Sequence, residues 1–263
     1  MSEALQRQYG EELYQALLAG RTLEPLTNRW PAITIDDAYR ISLHAIERRV
    51  AAGDAIVGKK IGVTSAAVQR MLDVHQPDFG FITRDMWFDD AAQVSLAANR
   101  LIQPRAEGEI AFKLKHDLVG PGVTEQDVLD ATECVMPCFE IVDSRIHDWK
   151  IRIQDTVADN ASCGVFVLGR EAVDPRELDL PNLRMRVFKN GAQISEGLGS
   201  AVQGNPLTAV AWLANTLGAL GIPFKAGEII LSGSLVPLEP ARAGDDFSLT
   251  IDGLGSARVS FCA

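Results

Sequence analysis

The sequence predicts an α+β fold: a mixed, rolled or barrel-like β-sheet preceded by a helical N-terminal extension. Three observations predict it. Apolar residues recur at helical spacing up to about residue 52; beyond it the texture changes to short β-branched runs punctuated by glycine; and only two convincing helical segments interrupt those runs. A doubly wound sheet would need helices and strands in regular alternation. With 263 residues, 47% hydrophobic and 23% charged, the chain can bury a sizeable core, and disordered or fibrous classes are excluded.

Leu5, Tyr9, Leu13, Leu17 and Leu18 mark a first helix, and Ala38, Ile41, Ala45, Ile46 and Val50 a second. Between them stand two prolines and then Thr34-x-x-Asp37, a pattern that caps a following helix. Residues 1–52 are expected to be a helical extension that covers a later core, and residues 53–263 a single catalytic-size domain. The strand-like runs are AIVGKKIGVT, GEIAFKLK, CFEIVDSRI, CGVFVLG, LRMRVFKNG, EIILSG and FSLTIDGLGSARVSF. Helices are expected from Glu125 to about Val135 and from Pro206 to Leu220. Asn190-Gly191, between MRVFK and AQISE, suits a tight hairpin because both residues accept positive φ.

Twenty-five Lys and Arg against 35 Asp and Glu give a formal charge of −10, which argues against general affinity for nucleic acid or an anionic membrane. An anionic substrate would then need a local positive centre. No apolar run of about 18 residues and no signal-type h-region occurs, and the four cysteines have neither zinc-ribbon spacing nor disulfide-scaffold density, so a reducing cytoplasm is expected. No serine sits in a Gly-x-Ser-x-Gly elbow, and Gly197-Leu-Gly199 lacks the rest of a phosphate-binding pattern. The four histidines do not cluster and are expected to be surface or packing residues; His75 alone lies inside a motif and is the one candidate to line a pocket.

The most informative segment is QPRAEGEIAF. Glu107 and Glu109 are two residues apart in a strand-like run, which puts both on one face with Cα atoms roughly 6.6 Å apart. Either both face water or a cation sits between them. Glu140, flanked by apolar residues in PCFEIVDSR, is a third acid; it could also pair with Arg105 or Arg145. Three carboxylates with no nearby histidine or thiolate suit a hard ion, Mg²⁺ or Mn²⁺, and disfavour zinc. Lys60 stands between Gly58 and Gly62 in a strand-like run, while Lys59 points to the opposite face and is expected to be dispensable. Asp78 follows Pro77, where a turn-forming role is the ordinary one, and Asn160 and Ser162 belong to a polar VADNAS cluster that would put both on one side if extended.

The runs GKKIGVTSAAVQRMLDVHQPDFG, QPRAEGEIAF, PCFEIVDSRIHDWKIRIQDTVADNASCGVFVLG and EIILSGSLVPLEPARAGDDFSLTIDGLGSARVSF closely resemble the 2-hydroxypenta-2,4-dienoate (2-oxopent-4-enoate) hydratases of the fumarylacetoacetate hydrolase superfamily. The resemblance covers nearly the whole chain. It implies a fumarylacetoacetate-hydrolase-type fold, Mg²⁺ or Mn²⁺ on Glu107, Glu109 and Glu140, and a 2-oxo acid bound to that ion in meta-cleavage degradation of aromatic compounds. It makes Lys60 the active-site lysine, Asp78 the residue that orients or deprotonates water, and Ser162, Asn160 and Ser234 contacts to the substrate. It further implies a homo-oligomer, often a decamer, and association with the pathway decarboxylase. The 2-oxo-3-hexenedioate (4-oxalocrotonate) decarboxylases share the same motifs and are the alternative, although DWKIRIQDTVADNASCG resembles the hydratases more. A non-catalytic subunit that scaffolds the decarboxylase is a third reading, disfavoured because such a subunit need not keep three glutamates and Lys60.

Overall fold

The computed structural model describes residues 1–263, with the side chains of Ala66, Ala67 and Met71 excepted. In chain order the elements are α1 (Glu3–Ala19), α2 (Leu26–Arg29), α3 (Ile35–Ala51), β1 (Ile56–Gly62), α4 (Ala66–Leu72), β2 (Asp78–Thr83), β3 (Trp87–Asp89), β4 (Ala92–Ser95), β5 (Arg105–Leu114), α5 (Glu125–Ala131), β6 (Thr132–Val142) and α6 (Ile153–Ala158). There follow β7 (Cys163–Leu168), β8 (Arg184–Lys189), β9 (Ala192–Leu198), α7 (Pro206–Ala219), β10 (Ile229–Ser234), β11 (Glu239–Pro240), β12 (Asp246–Ile251) and β13 (Gly255–Cys262). The strands make an eight-stranded sheet ordered β2-β1-β10-β5-β6-β7-β3, with β11 on β5, and a five-stranded sheet ordered β4-β13-β12-β8-β9. Both mix parallel and antiparallel pairs, and neither closes into a barrel.

The sheets meet face to face through β5, β6, β8 and β12. Gly108 permits the approach: a Cβ there would lie 2.4 Å from Met185 Sδ and 3.3 Å from Leu249 Cδ2, so the bare back of β5 is filled from the other sheet. Phe139 meets Phe247 edge-to-face at 6.2 Å, and Phe247 in turn meets Phe261 at 5.9 Å. The other face of β5 is thereby left free to carry polar groups at Glu107 and Glu109.

The Thr34 cap forms as predicted: Asp37 N–H donates to Thr34 Oγ1 at 3.1 Å and Thr34 N–H to Asp37 Oδ2 at 3.1 Å. The extension does cover a core, because α1 packs on α3 and α3 on α6, and Tyr9, Leu13, Ala38 and Ile41 share one cluster with Ile153, Val157 and Ala158. Asp155 of α6 also accepts from Thr27 N–H at 3.0 Å and Thr27 Oγ1 at 2.7 Å. Asn190 and Gly191 turn β8 into β9 with φ of 52° and 81°. The helix expected to reach Val135 ends at Ala131, because Thr132–Val135 pair with β5, Val135 lying opposite Phe112. Three short helices, α2, α4 and α6, form in segments where no helix was expected.

Lys59 does project from the face of β1 opposite to Lys60, but that face is not solvent. Its side chain is buried beside Glu228, lies 3.3 Å from Pro223 O and passes 5.2 Å from the Phe224 ring centroid. Lys59→Ala would strand the Glu228 carboxylate and open a void against Phe224. Breaking such a pair costs roughly 3–5 kcal/mol, and the lower end applies because Glu228 keeps some access to water. Urea unfolding of Lys59→Ala is therefore expected to show a clear drop in midpoint, and an unchanged midpoint would mean that the pair contributes nothing.

Candidate metal and proton-transfer site

Strand register assembles the site. Glu107 and Glu140 lie directly opposite each other across β5 and β6, and Glu109 is two residues along the same face of β5. One carboxylate oxygen of each lies within 4.8 Å of the others, and all three residues are buried. Lys60 enters from β1, two strands away across β10, with Nζ 3.2 Å from Glu140 Oε1. Thus Lys60, and neither Arg105 nor Arg145, is the cationic partner of Glu140. Arg105 stacks over the Trp149 ring at 4.8 Å, and Arg145 pairs with Asp159 at 2.6 Å.

One ammonium does not neutralise three buried carboxylates. Burial, and then the charge of Glu140, pushes the Glu107 carboxyl up to about 8 and the Glu109 carboxyl well above its usual range. Glu109 Oε2 accepts from Gly233 N–H at 2.8 Å, but Glu109 Oε1 and both Glu140 oxygens have no hydrogen-bond partner among the described residues; the Lys60 contact is an ion pair outside hydrogen-bond geometry. Buried, unpartnered oxygens converging within 4.8 Å fit a hard divalent cation. The buried thiols nearest the carboxylates, Cys138 opposite Glu109 and Cys163 of β7, are both raised by burial and by carboxylate charge, so they stay protonated and offer no soft ligand.

Asp78 is not in a turn but opens β2, fully enclosed, opposite Gly62 of β1. A Cβ on Gly62 would lie 2.2 Å from Asp78 Oδ1 and 3.3 Å from Lys60 Nζ, so the glycine is what lets carboxylate and ammonium share this space. Burial pushes the Asp78 carboxyl up to about 6 against the pull of Lys60, and its Oδ1 has no partner among the described residues. Burial opposes the Lys60 charge, but Glu140, Asp78 and Glu107 outweigh it and hold the ammonium above its ordinary value. Its Nζ also donates to Ala161 O at 3.1 Å.

The remaining candidates are placed differently. Asn160, Ala161 and Ser162 form a left-handed turn rather than an extended segment. Both amide atoms of Asn160 bind the Phe81 backbone, at 2.8 and 2.9 Å, and Ser162 Oγ contacts Thr156 Oγ1 at 3.0 Å. Ser234 lies opposite Glu109 but donates its hydroxyl proton to Val236 O at 2.6 Å. All three side chains are thus engaged within the protein. His75 is exposed. A cleft of about 540 Å³ lined by Tyr14, Arg49, Arg100, Asp143 and Arg145 contains none of the cluster residues.

Sequence reasoning missed Tyr39 of α3. Its ring stacks on Phe79 at 4.1 Å with 11° between planes, and burial, then the nearby Asp78 charge, keeps its phenol protonated. The extension therefore contributes a group to the Asp78 side of the site. An aromatic at one position of an amphipathic helix gives no signal that sets it apart from a core residue.

A buried oxygen-only triad with an adjoining ammonium and a fourth, partly basic carboxylate defines a divalent-cation-dependent enzyme acting on a small oxygen-rich anion. Residues 56–261 match the family model described as fumarylacetoacetate (FAA) hydrolase C-terminal. Over 252 residues the chain is 65% identical to a 2-hydroxyhexa-2,4-dienoate hydratase from Comamonas testosteroni, covering 96% of each chain. It is 60% identical over 222 residues to a 2-hydroxypent-2,4-dienoate hydratase from Pseudomonas putida, covering 84% of this chain and 100% of that one. A solved 4-oxalocrotonate decarboxylase from Pseudomonas putida G7, complexed with magnesium and adipate, superposes with a TM-score of 0.95 at 34% identity, over 99% of this chain and 98% of that one. The chain belongs to the fumarylacetoacetate hydrolase family. No helix among the described residues is long and apolar enough to cross a membrane.

The raised carboxyls set a pH dependence. A carboxyl whose folded pKa lies above its unfolded value binds its proton more tightly when folded, so it favours the folded state at low pH and loses that contribution as pH rises. For Glu107 the window runs from about 4.5 to about 8. A cation replaces those protons, so excess Mg²⁺ is expected to raise the melting temperature, relative to chelator, more at pH 8 than at pH 6. Equal increments at both pH values would count against the triad as the ion site.

Proposed function

We propose that the chain is a hydro-lyase that adds water to 2-hydroxypenta-2,4-dienoate to give 4-hydroxy-2-oxopentanoate, in meta-cleavage degradation of aromatic compounds. The observation that carries this reading is the convergence of Glu107, Glu109, Glu140, Lys60 and Asp78 on one buried sheet face in a chain whose most similar relatives named above are dienoate hydratases.

A divalent cation held by Glu107, Glu109 and Glu140 would supply Lewis acidity toward the carboxylate and 2-oxygen of the substrate. Mg²⁺ or Mn²⁺ suits the all-oxygen donor set. The reaction breaks the 2-hydroxyl O–H bond as carbon 5 gains a proton, giving the 2-oxo-3-ene; the hydroxyl of water then bonds to carbon 4 and the other proton of that water goes to carbon 3. Lys60 Nζ, kept as an ammonium, offers a proton and a positive charge where the 2-oxygen gains electron density. Asp78 Oδ1, unpartnered and on a carboxyl near 6, is basic enough at neutral pH to take the proton of the attacking water. Asn160 and Ser162 hold the turn whose Ala161 carbonyl meets Lys60, while Ser234 stands beside the glutamates, opposite Glu109. Assembly as a homo-oligomer, association with the pathway decarboxylase and a cytoplasmic location are supported by the family resemblance.

The second reading, decarboxylation of 2-oxo-3-hexenedioate, is favoured by the close superposition on a decarboxylase. Mass analysis of products decides between them: with Mg²⁺ present, the dienoate is expected to gain one water, and the hexenedioate to be left with its carbon dioxide. Loss of carbon dioxide with no hydration would overturn the proposal. Chelation is expected to abolish turnover and Mg²⁺ or Mn²⁺ to restore it better than Zn²⁺.

Lys60→Ala separates chemistry from binding. It is expected to lower kcat by about 10²–10³-fold, the loss typical of one charge-stabilising donor. Metal affinity should not weaken, because the three glutamates remain. A change confined to KM would show instead that the lysine only attracts the anionic substrate.

A further inference from the structure

Three successive non-glycine residues, Asn160, Ala161 and Ser162, have φ of 55°, 50° and 53°. Left-handed geometry costs L-residues roughly 1–2 kcal/mol each, so such a turn persists only where its surroundings over-determine it. Arg145 is the largest single part of those surroundings. Its buried guanidinium donates from Nε to Asp159 Oδ1 at 2.6 Å, from Nη2 to Asp159 O at 2.8 Å and from Nη1 to Cys163 O at 3.1 Å. Its backbone N–H donates to Asp159 Oδ2 at 2.8 Å. One side chain thus grips the residue before the turn and the residue after it.

Other contacts fix the turn laterally. Asn160 ties it to Phe81 of β2, and Asp143 N–H donates to Ser162 O at 2.8 Å. Held at both ends, the turn presents the Ala161 carbonyl to Lys60 Nζ at 3.1 Å, the one hydrogen bond made by that ammonium among the described residues. Arg145 itself pairs with Asp159 and approaches Asp143 at 3.8 Å, and it has no contact with the glutamate triad.

We propose that Arg145 is a positioning residue for the hydration: by clamping Asp159 and Cys163 it fixes the Ala161 carbonyl, and through it the Lys60 ammonium, against the glutamate cluster. The inference rests on the role proposed above for Lys60. The guanidinium is required because its planar fork reaches a carboxylate and two carbonyls at once, whereas a lysine is a single point charge that cannot bridge both ends.

A double-mutant cycle on the Mg²⁺-loaded enzyme tests it. Arg145→Lys is expected to lower kcat by about 10- to 100-fold, as a displaced reacting group does, with KM and Mg²⁺ affinity nearly unchanged. In a Lys60→Ala background the same substitution should cause no further loss, because the group it positions is gone. Equal losses in both backgrounds would overturn the inference about Arg145 and leave the reading of Lys60 standing. A Lys60→Ala enzyme with full activity would overturn that reading, and this inference with it. Should Arg145→Lys fail to fold, the isosteric Asp159→Asn weakens the same grip and runs through the same cycle with the same two outcomes.

Discussion

Three carboxylates crowded within 4.8 Å in a buried space are the constraint on which the site depends. Brought together without compensation they would hold protons, which is the direction in which burial moves Glu107 and Glu109. The fold keeps them together because two of them face each other across the β5–β6 ladder, and a ladder register cannot slip by one residue without turning every side chain to the other face. The reverse face of β5 is locked in turn by Met185 against Gly108. Sheet packing therefore enforces a charge cluster that the chain neutralises only in part, with Lys60, and the remainder is a standing affinity for a hard cation.

A second constraint acts on the same sheet, at β1 and β2. Lys60 and Asp78 lie on neighbouring antiparallel strands, and a strained turn from beyond α6 locks on to both: Asn160 on the Phe81 backbone of β2, and the Ala161 carbonyl on Lys60 of β1. The helical extension reaches the same place, with α3 packed on the turn and Tyr39 stacked on Phe79. Strain stored in the 160–162 backbone is thus offset by arginine, amide and helix contacts around it, an arrangement expected where the direction of one ammonium matters more than local stability.

The parts of this that were legible in sequence are those with short-range causes. Period-two spacing put Glu107 and Glu109 on one face, the Thr34–Asp37 pair announced its helix, and Asn190-Gly191 announced its hairpin. Apolar neighbours on both sides singled out Glu140 as a third acid, with a pairing to Arg105 or Arg145 left open, and the family resemblance made Lys60 the active-site lysine. What was not legible depends on contacts far along the chain. Nothing local distinguishes Lys59, buried on Glu228 across 169 residues, from a surface lysine. Thr132–Val135 were expected to be helix because propensity alone could not weigh the pairing to β5, and the conformation of the VADNAS segment stayed open between extended strand and turn because a left-handed turn of non-glycine residues has no composition of its own. Arg145 was weighed only as a partner for Glu140, since its true partners, Asp159 and Cys163, meet it through a turn that sequence does not foretell.

The likeness to a decarboxylase at a TM-score of 0.95 and to hydratases at 65% and 60% identity bears on where specificity resides. Both chemistries begin from a 2-oxo acid whose electrons are drawn toward its oxygen-rich end, and a triad with an adjoining ammonium serves either. They part at the distal end: a decarboxylation must accommodate a second carboxylate and release it as carbon dioxide, while a hydration must place one water against carbon 4 with a base beside it. On the function proposed above Asp78 is that base: it is enclosed, unpartnered at Oδ1 and close to Lys60. On the function proposed above, the outcome of the shared activated substrate turns on the surroundings of Asp78, where Tyr39 stacks on the adjacent Phe79 and the 160–162 turn is tied to Phe81.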